Sequence, residues 1–382
     1  MANDAKQAAR ARVEGAGERL VALSHRIHAH PELGFQEERA CAWLCEALEG
    51  AGLRVERGVG GLPTAFAART GQGPLRVVVC AEYDALPEIG HACGHNVIAA
   101  MAAGVGVALE GLGDDLGVEL TVLGTPAEEG GGGKVVLLEQ GAFDGVHAAM
   151  MVHPSPYEMA EMPIIASTEF EVRYTGKEAH AAAYPHLGVN AADAMVVAQT
   201  AIGLLRQQLR PTDRVHGIVT AGGDASNIIP ARVAGRWMVR ATTLEELKSV
   251  QAKVTRCFEA GALASGASLE IGGAERPYAE MHHDHELAGV YRRNAEALGR
   301  VFGDRPDRGA GSTDMGNVSL AVPSIHPTIG IDALPAVNHQ PEFTACCAKS
   351  AADRAVVDGA VAMAWTVIDA ATDERLRARL LG

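Results

Sequence analysis

Side chains that commonly bind metal ions or move protons follow one short apolar stretch of the chain. They are Glu82, Asp84, His91, Cys93 and His95. The preceding stretch, Val77–Cys80, is continuously apolar, which is typical of a strand buried on both faces of a parallel sheet. Ligands and catalytic groups collect at the carboxyl ends of such strands. The stretch therefore predicts a functional site at this edge of the sheet.

Two later apolar stretches also end in side chains of this kind. Residues 117–124 form a second predicted strand, and Glu128 and Glu129 follow it in the sequence TPAEEGGGGK. Residues 146–152 form a third predicted strand that ends at His153. Because the carboxyl ends of parallel strands meet at one sheet edge, we expect these groups to lie together with the first cluster.

The candidate ligands combine sulfur, nitrogen and oxygen donors. They are Cys93, His95, Glu129, His153 and His339. This mixed set suits zinc, and it also admits manganese or cobalt. Five ligands can hold two divalent ions that activate a shared water. Glu128, beside the predicted ligand Glu129, is then the predicted general acid/base for amide hydrolysis.

Two other interpretations remain open from these residues. The first is a hydrolase with Cys93 as the nucleophile and His95 as its base, although residues two apart on a loop rarely align as such a pair. The second is a dimeric binding module that keeps one metal ion and does no chemistry.

Composition restricts the class of protein. The 382 residues include 33 basic and 47 acidic side chains, so the net charge is −14, and no basic cluster indicates nucleic-acid binding. The seven cysteines show no disulfide spacing, which favours reduced thiols and a cytoplasmic location. Residues 1–12 do not have the pattern of a signal peptide, and we expect no membrane-spanning helix.

The order of elements predicts an α/β fold with an insertion. A mixed, mostly parallel sheet flanked by helices is expected for residues 1–165 and 278–382, the two parts of a metal-binding catalytic domain. Residues 166–277 read as βαββαβ, which is the order of a ferredoxin-like α+β domain. Near the end of the chain we expect one strand at 324–331 and one closing helix at 345–376.

Motifs in the same order along nearly the whole chain resemble those of a known family. They are HRIHAHPELGFQEE, EYDALPEIGHACGHN, GTPAEEGGGGK, GKEAHAAAYPHLGVNA, SNIIPARV, GSTDMGNVS and NHQPEF. Together they resemble the amidohydrolase branch of the aminoacylase/glutamate-carboxypeptidase family, the twentieth family of metallopeptidases. The motif sequences are most similar to those of the subgroup with p-aminobenzoyl-glutamate hydrolase and β-alanyl-lysine dipeptidase.

The resemblance implies a zinc-peptidase-like fold and a dinuclear enzyme that hydrolyses N-acyl amino acids, dipeptides or aminobenzoyl-glutamate-like conjugates. It assigns the five donors above as ligands and Glu128 as the acid/base, with Asp84 orienting a metal-binding imidazole. The insertion would be a lid that forms a homodimer. There His180 would reach the partner's site and steady the oxyanion, and Asn227 would hold the substrate.

Four further side chains are candidates for the substrate pocket, namely Ser312, Thr313, Asp314 and His326. The alternative is that the GSTDMG loop only shapes the pocket and that His326 is a core histidine. One position departs from the resemblance, because Asn96 stands where many relatives have Asp. We expect that exchange to remove a charge beside the metal ions.

Overall fold

The computed structural model describes residues 2–303 and 310–382. It contains two compact units, one formed by Met1–Pro163 with Met281–Gly382 and the other by Ile164–Glu280. The larger unit carries the predicted metal ligands, and the smaller unit interrupts it in the sequence.

Helices and strands are numbered in chain order. The helices are α1 (Ala2–His28), α2 (Glu38–Gly50), α3 (His95–Leu109), α4 (Gly113–Leu116), α5 (Gly133–Glu139), α6 (Ala191–Leu205), α7 (Leu244–Ser265), α8 (His285–Ala297), α9 (Met315–Ser319), α10 (Pro341–Cys346), α11 (Ser350–Thr372) and α12 (Glu374–Leu381). The strands are β1 (Arg54–Arg57), β2 (Phe66–Thr70), β3 (Leu75–Ala81), β4 (Val118–Gly124), β5 (Ala148–Met150), β6 (His153–Ser155), β7 (Ala166–Thr175), β8 (Arg214–Ala221), β9 (Arg232–Ala241), β10 (Ser268–Gly272), β11 (Ser324–Ile325) and β12 (Thr328–Gly330).

The larger unit is built on a mixed sheet of six strands in the order β1-β2-β4-β3-β5-β11. Strands β4, β3, β5 and β11 run parallel, and the hairpin β1–β2 joins β4 antiparallel. The register places Ala81 opposite Gly124, so β3 and β4 end at the same level. The segments that follow these two strands therefore emerge together. This sheet confirms the predicted fold class of the larger unit.

Helix α3 is the central helix of this unit. All of its residues except Val107 are buried, as the nearly continuous apolar sequence requires. It packs against α1 and α11. A Cβ atom on Gly104 would stand 2.7 Å from the Cβ atom of Ala360, so glycine permits the close approach of α3 to α11.

The sequence predicted no membrane-spanning helix, but α11 is long and apolar enough to be considered as one. By length and composition its 23 residues could cross a membrane, but 72% of its most apolar window is buried inside the protein. We therefore interpret α11 as a core helix of the larger unit.

The smaller unit is an antiparallel sheet in the order β10-β7-β9-β8, with α6 and α7 packed against each other. Its core contains an aromatic cluster in which the ring of Phe258 lies 6.1 Å from Phe170 and 5.2 Å from Trp237. Strand β7 alternates between buried and exposed residues, as predicted. The βαββαβ order and this strand order confirm the ferredoxin-like insertion.

Two predicted elements are divided in the structure. The strand expected at 324–331 is two strands, β11 and β12. The strand is interrupted at His326–Pro327, where proline offers no backbone N–H for pairing. Strands β5 and β6 are likewise separated, at Met151 and Val152, and pair with β11 and β12, respectively. The helix expected at 345–376 is three helices, α10, α11 and α12.

Candidate metal centre and active site

The first two candidate ligands lie at the amino end of α3. Cys93 and His95 flank Gly94, which has φ +80°. A Cβ atom on Gly94 would stand 2.4 Å from Cγ of Pro154, so both the dihedral angle and the space require glycine. The loop after β3 therefore delivers one thiol and one imidazole to the same region.

The His95 ring is held by hydrogen bonds to Asp84. Nδ1 of His95 lies 2.9 Å from Oδ1 of Asp84 and 2.9 Å from its backbone oxygen. Since both partners are acceptors, Nδ1 carries a hydrogen, and in the neutral ring Nε2 would present its lone pair to a metal ion. Oδ2 of Asp84 also accepts a bond of 2.8 Å from the backbone N–H of Glu129. One carboxylate thus fixes two candidate ligands.

Cys93 stands between two other imidazoles. Its Sγ lies 3.4 Å from Nε2 of His153 and 3.5 Å from Nε2 of His339. The Nδ1 atom of His153 donates to the backbone oxygen of Pro154 over 2.8 Å, so Nε2 carries the lone pair. Nε2 of His339 is also 3.4 Å from Oε1 of Glu129. All five predicted ligands therefore lie at this edge of the sheet.

The thiol of Cys93 does not have the electrostatic environment of a nucleophile. Burial and the nearby Glu129 raise the pKa of Cys93 well above its usual value. Catalytic cysteines have a lowered pKa instead, because the thiolate is the reactive form. This environment disfavours the thiol-hydrolase interpretation.

A buried carboxylate supports the turn that carries Glu128 and Glu129. The turn begins at Ala127, whose φ of +57° is rare for a residue with a side chain. The Ala127 N–H donates over 2.8 Å to Oε1 of Glu37, which is fully buried. The sequence does not reveal this contact, because Glu37 and Ala127 are 90 residues apart along the chain.

The separations between the candidate ligand atoms fit a metal ion. Two donors bound tetrahedrally to one zinc ion at about 2.0–2.3 Å stand about 3.3–3.8 Å apart. The distances from Sγ of Cys93 to the two imidazoles are in this range. Among the residues that the structure describes, the buried Nε2 of His95 has no hydrogen-bond partner. A lone pair left in this way is suited to a metal ion.

A buried charge network that the sequence did not reveal lies beside Glu128. The ammonium of Lys134 contacts Oε1 of Glu82 and lies 2.5 Å from Oδ1 of Asp314, and all three side chains are fully buried. The backbone N–H of Lys134 also donates over 2.8 Å to Oδ2 of Asp314. Burial alone would lower the pKa of Lys134, but Asp314 and Glu82 raise this pKa well above its usual value.

The carboxyl group of Glu128 lies between this network and His95. Its Oε2 is 3.9 Å from Nε2 of His95. Burial and the neighbouring carboxylates of Glu82 and Glu129 raise the pKa of Glu128 well above its usual value. A carboxyl with a raised pKa is suited to accept a proton and pass it on.

Asp314, one of the four candidate pocket residues, is thus paired with Lys134, and the other three differ in their surroundings. His326 is buried with its ring 5.6 Å from that of His153, and within the described part of the chain neither ring nitrogen has a hydrogen-bond partner. Thr313 is buried and its Oγ1 accepts from the Met315 N–H over 3.2 Å, whereas Ser312 is half-buried. The unpartnered ring of His326 favours a polar ligand over a purely structural role.

His180 and Asn227 belong to the smaller unit, where they lie next to each other. The backbone of His180 pairs antiparallel with Ile228, and the Ala181 N–H donates to the backbone oxygen of Asn227 over 2.9 Å. Nδ1 of the exposed His180 ring accepts from the N–H groups of Ala182 and Ala183. Nε2 therefore carries the hydrogen and can donate to an oxyanion.

The buried side chain of Asn96 forms hydrogen bonds to two other parts of the larger unit. Its Nδ2 donates to Oγ of Ser24 over 2.9 Å and to the backbone oxygen of Cys347 over 3.0 Å. The side chain therefore joins α1, α3 and the end of α10. The carbonyl partner suits an asparagine, since its amide group donates a hydrogen without carrying charge, whereas an ionised carboxylate has no hydrogen to donate.

We expect Asn96→Asp to lower the free energy of unfolding by about 2–5 kcal/mol at pH 7, because a buried carboxylate would face a carbonyl oxygen. Urea denaturation followed by circular dichroism measures this change. The loss should shrink as the pH falls and the new carboxyl is protonated. Asn96→Ala, which deletes the same bonds without adding a charge, is the control and should cost less. Equal, pH-independent losses in both variants would contradict this account.

Comparison with known proteins agrees with this geometry. A family model described as a peptidase dimerisation domain matches residues 166–265. The chain is 43% identical to the Xaa-Arg dipeptidase of Mus musculus, over 95% of this chain and 88% of the mouse protein. It is 32% identical to a p-aminobenzoyl-glutamate hydrolase chain of Escherichia coli, over 68% of this chain and 58% of that protein.

The fold is also that of a solved structure. A dinuclear metal-binding peptidase of the M20 family from Bacillus subtilis superposes with a TM-score of 0.69. The match covers 93% of this chain and 98% of that one, at 22% sequence identity.

Proposed function

The chain belongs to the M20 peptidase family and is a metal-dependent amidohydrolase, and we propose that it cleaves dipeptides whose leaving amino acid has a cationic side chain. Two divalent ions, zinc or manganese with cobalt as a substitute, would be bound by the five ligands predicted above. The observation that carries the proposal is that these donors form overlapping groups and that the carboxyl group of Glu128 lies in one of them, with His95 and Glu129.

Each ion has a group of donors that fits it. Cys93, Glu129 and His339 offer atoms within 4.8 Å of one another, and so do Cys93, His95 and His153. Cys93 belongs to both groups and would help to hold both ions. Asp84 and the carbonyl of Pro154 fix the imidazole tautomers that present Nε2 to them.

The protein groups divide the work of hydrolysis. When bound, the ions lower the pKa of a water molecule towards ~7 and polarise the substrate carbonyl. Glu128 accepts the proton of the attacking water and transfers it to the leaving nitrogen. His180, which carries its hydrogen on Nε2, donates to the developing oxyanion. Asn227, held beside it, would bind the substrate.

The preference for a cationic leaving group is proposed from the similarity to the Xaa-Arg dipeptidase. A net charge of −14 supports it, because an acidic protein attracts cationic substrates over long distances. Ser312, Thr313 and His326 would line the substrate pocket. N-acyl amino acids and aminobenzoyl-glutamate are the alternative substrates of the same chemistry.

We further propose that the smaller unit is a lid and dimerisation domain. Among the described residues, eight of the fifteen large apolar side chains that are exposed lie in this unit. Strand β8 is an edge strand with Ile218 60% exposed, and an unpaired apolar edge is suited to a second copy of the chain. The seven cysteines are free thiols, which supports the reducing cytoplasm as the location.

Metal removal tests the proposed function. After treatment with a chelator we expect loss of hydrolysis, and Zn²⁺, Mn²⁺ or Co²⁺ should restore it. Dipeptides ending in arginine or lysine should exceed the matched norleucine dipeptide in kcat/KM by about tenfold or more at low salt, and added salt should reduce the ratio. Full activity after complete metal removal would refute the metal mechanism, and an equal rate for norleucine would refute the substrate preference.

A further inference from the structure

A second group of acidic side chains adjoins the candidate metal centre. The carboxylate oxygens of Glu82, Glu128 and Asp314 lie within 4.8 Å of one another, and all three side chains are buried. We call these three residues the acidic pocket. Three buried carboxylates this close repel one another strongly unless a cation lies among them or a carboxyl group is protonated.

The cation in the acidic pocket is the ammonium group of Lys134. It contacts Glu82 and lies 2.5 Å from Oδ1 of Asp314, while the Lys134 N–H binds the other oxygen of Asp314. Lys134 enters at the start of α5, directly after the glycines that follow Glu129. Its position is therefore fixed by the backbone as well as by its charge.

Without Lys134 the acidic pocket would have the composition of a divalent cation site. Three carboxylates are the oxygen donors that Mn²⁺ and Mg²⁺ prefer. One of them, Glu128, also belongs to the donor group with His95 and Glu129. An ion bound in the acidic pocket would coordinate Glu128 and prevent it from accepting a proton from water.

We propose that Lys134 is a positioning residue that serves as the permanent counter-cation of the acidic pocket and prevents a third divalent ion from coordinating Glu128. The inference rests on the proposed function, because it takes Glu128 as the acid/base. In this proposal, the charge of the buried Lys134 side chain limits the number of divalent ions that the site binds.

Replacing Lys134 by Met, which keeps the length of the side chain and removes its charge, tests the inference. Both proteins are purified and dialysed against Mn²⁺, and bound Mn²⁺ per chain is measured by mass spectrometry of the metal and by electron paramagnetic resonance. We expect Lys134→Met to bind one Mn²⁺ more than the wild-type protein. Its kcat should fall at least about tenfold with little change in KM, and the fall should deepen as Mn²⁺ is added.

Two further variants make the result specific. Lys134→Met combined with Asp314→Asn removes a ligand of the additional ion, so bound Mn²⁺ should return to the wild-type value. Lys6→Met deletes another partly buried lysine that forms an ion pair, 2.7 Å from Asp369, and should bind as much Mn²⁺ as wild type. Lys134→Gln keeps an N–H donor and should gain the same ion as Lys134→Met.

The inference has clear contrary outcomes. A folded Lys134→Met protein with the Mn²⁺ content of wild type would overturn it. Failure of both Lys134→Met and Lys134→Gln to fold in excess Mn²⁺ would also overturn it, because the additional ion should replace the missing charge. Wild-type protein that binds no Mn²⁺ or hydrolyses no amide would instead refute the proposed function, so the two failures are distinguishable.

Discussion

Replacing Glu128 by Gln is expected to lower kcat by about 10²–10⁴-fold and to leave the content of bound divalent metal unchanged. The amide has nearly the same shape as the carboxyl group but cannot accept a proton from water. Steady-state kinetics on an arginine dipeptide, together with metal analysis of the same preparation, measures both quantities. KM should change little, since the proposed role of Glu128 begins in the transition state.

Glu129→Gln is the matched control for this substitution. The two residues are adjacent, but Glu129 lies 3.4 Å from Nε2 of His339. Glu128 instead lies 3.9 Å from Nε2 of His95 and is itself part of the acidic pocket. We therefore expect Glu129→Gln to lose bound metal and activity together. Retained turnover in Glu128→Gln, or loss of metal in that variant, would show that the roles of these two residues are assigned wrongly.

The sequence predicted the large elements of the fold because their signals are local. The apolar run in β3 and the alternation in β7 are each read from consecutive residues. The βαββαβ order of the insertion follows from the same patterns. The predicted strand boundaries were wrong where a strand is interrupted inside an apolar run, as at His326–Pro327. Both halves of the run remain buried, so the apolar pattern does not show the interruption.

The groups around the metal centre were predicted to differing extents. Cys93 and Glu129 follow predicted strands, so sheet topology alone brings them to one edge. The contacts of Lys134 could not be predicted, because Asp314 is 180 residues away and no local pattern indicates which lysine is buried. The support of Ala127 by Glu37 was missed for the same reason, since its two partners are 90 residues apart.

A mixture of two inactive variants is expected to regain activity if His180 acts on the site of the partner subunit. In Glu128→Gln each site lacks its acid/base, and in His180→Ala each site lacks the oxyanion donor. A heterodimer of the two chains would contain one site with Glu128 from its own chain and His180 from the other. Random exchange of equal amounts should therefore restore about a quarter of the wild-type activity.

The measurement requires exchange of subunits and an internal control. The variants are mixed, dissociated by mild denaturant and reassembled, and activity is followed against the proportion of the two chains. Activity should peak at equal proportions. If His180 acted within its own chain, every heterodimer would contain one site without Glu128 and one site without His180. No proportion would then exceed the activities of the separate variants, and this outcome would remove His180 from the partner's site.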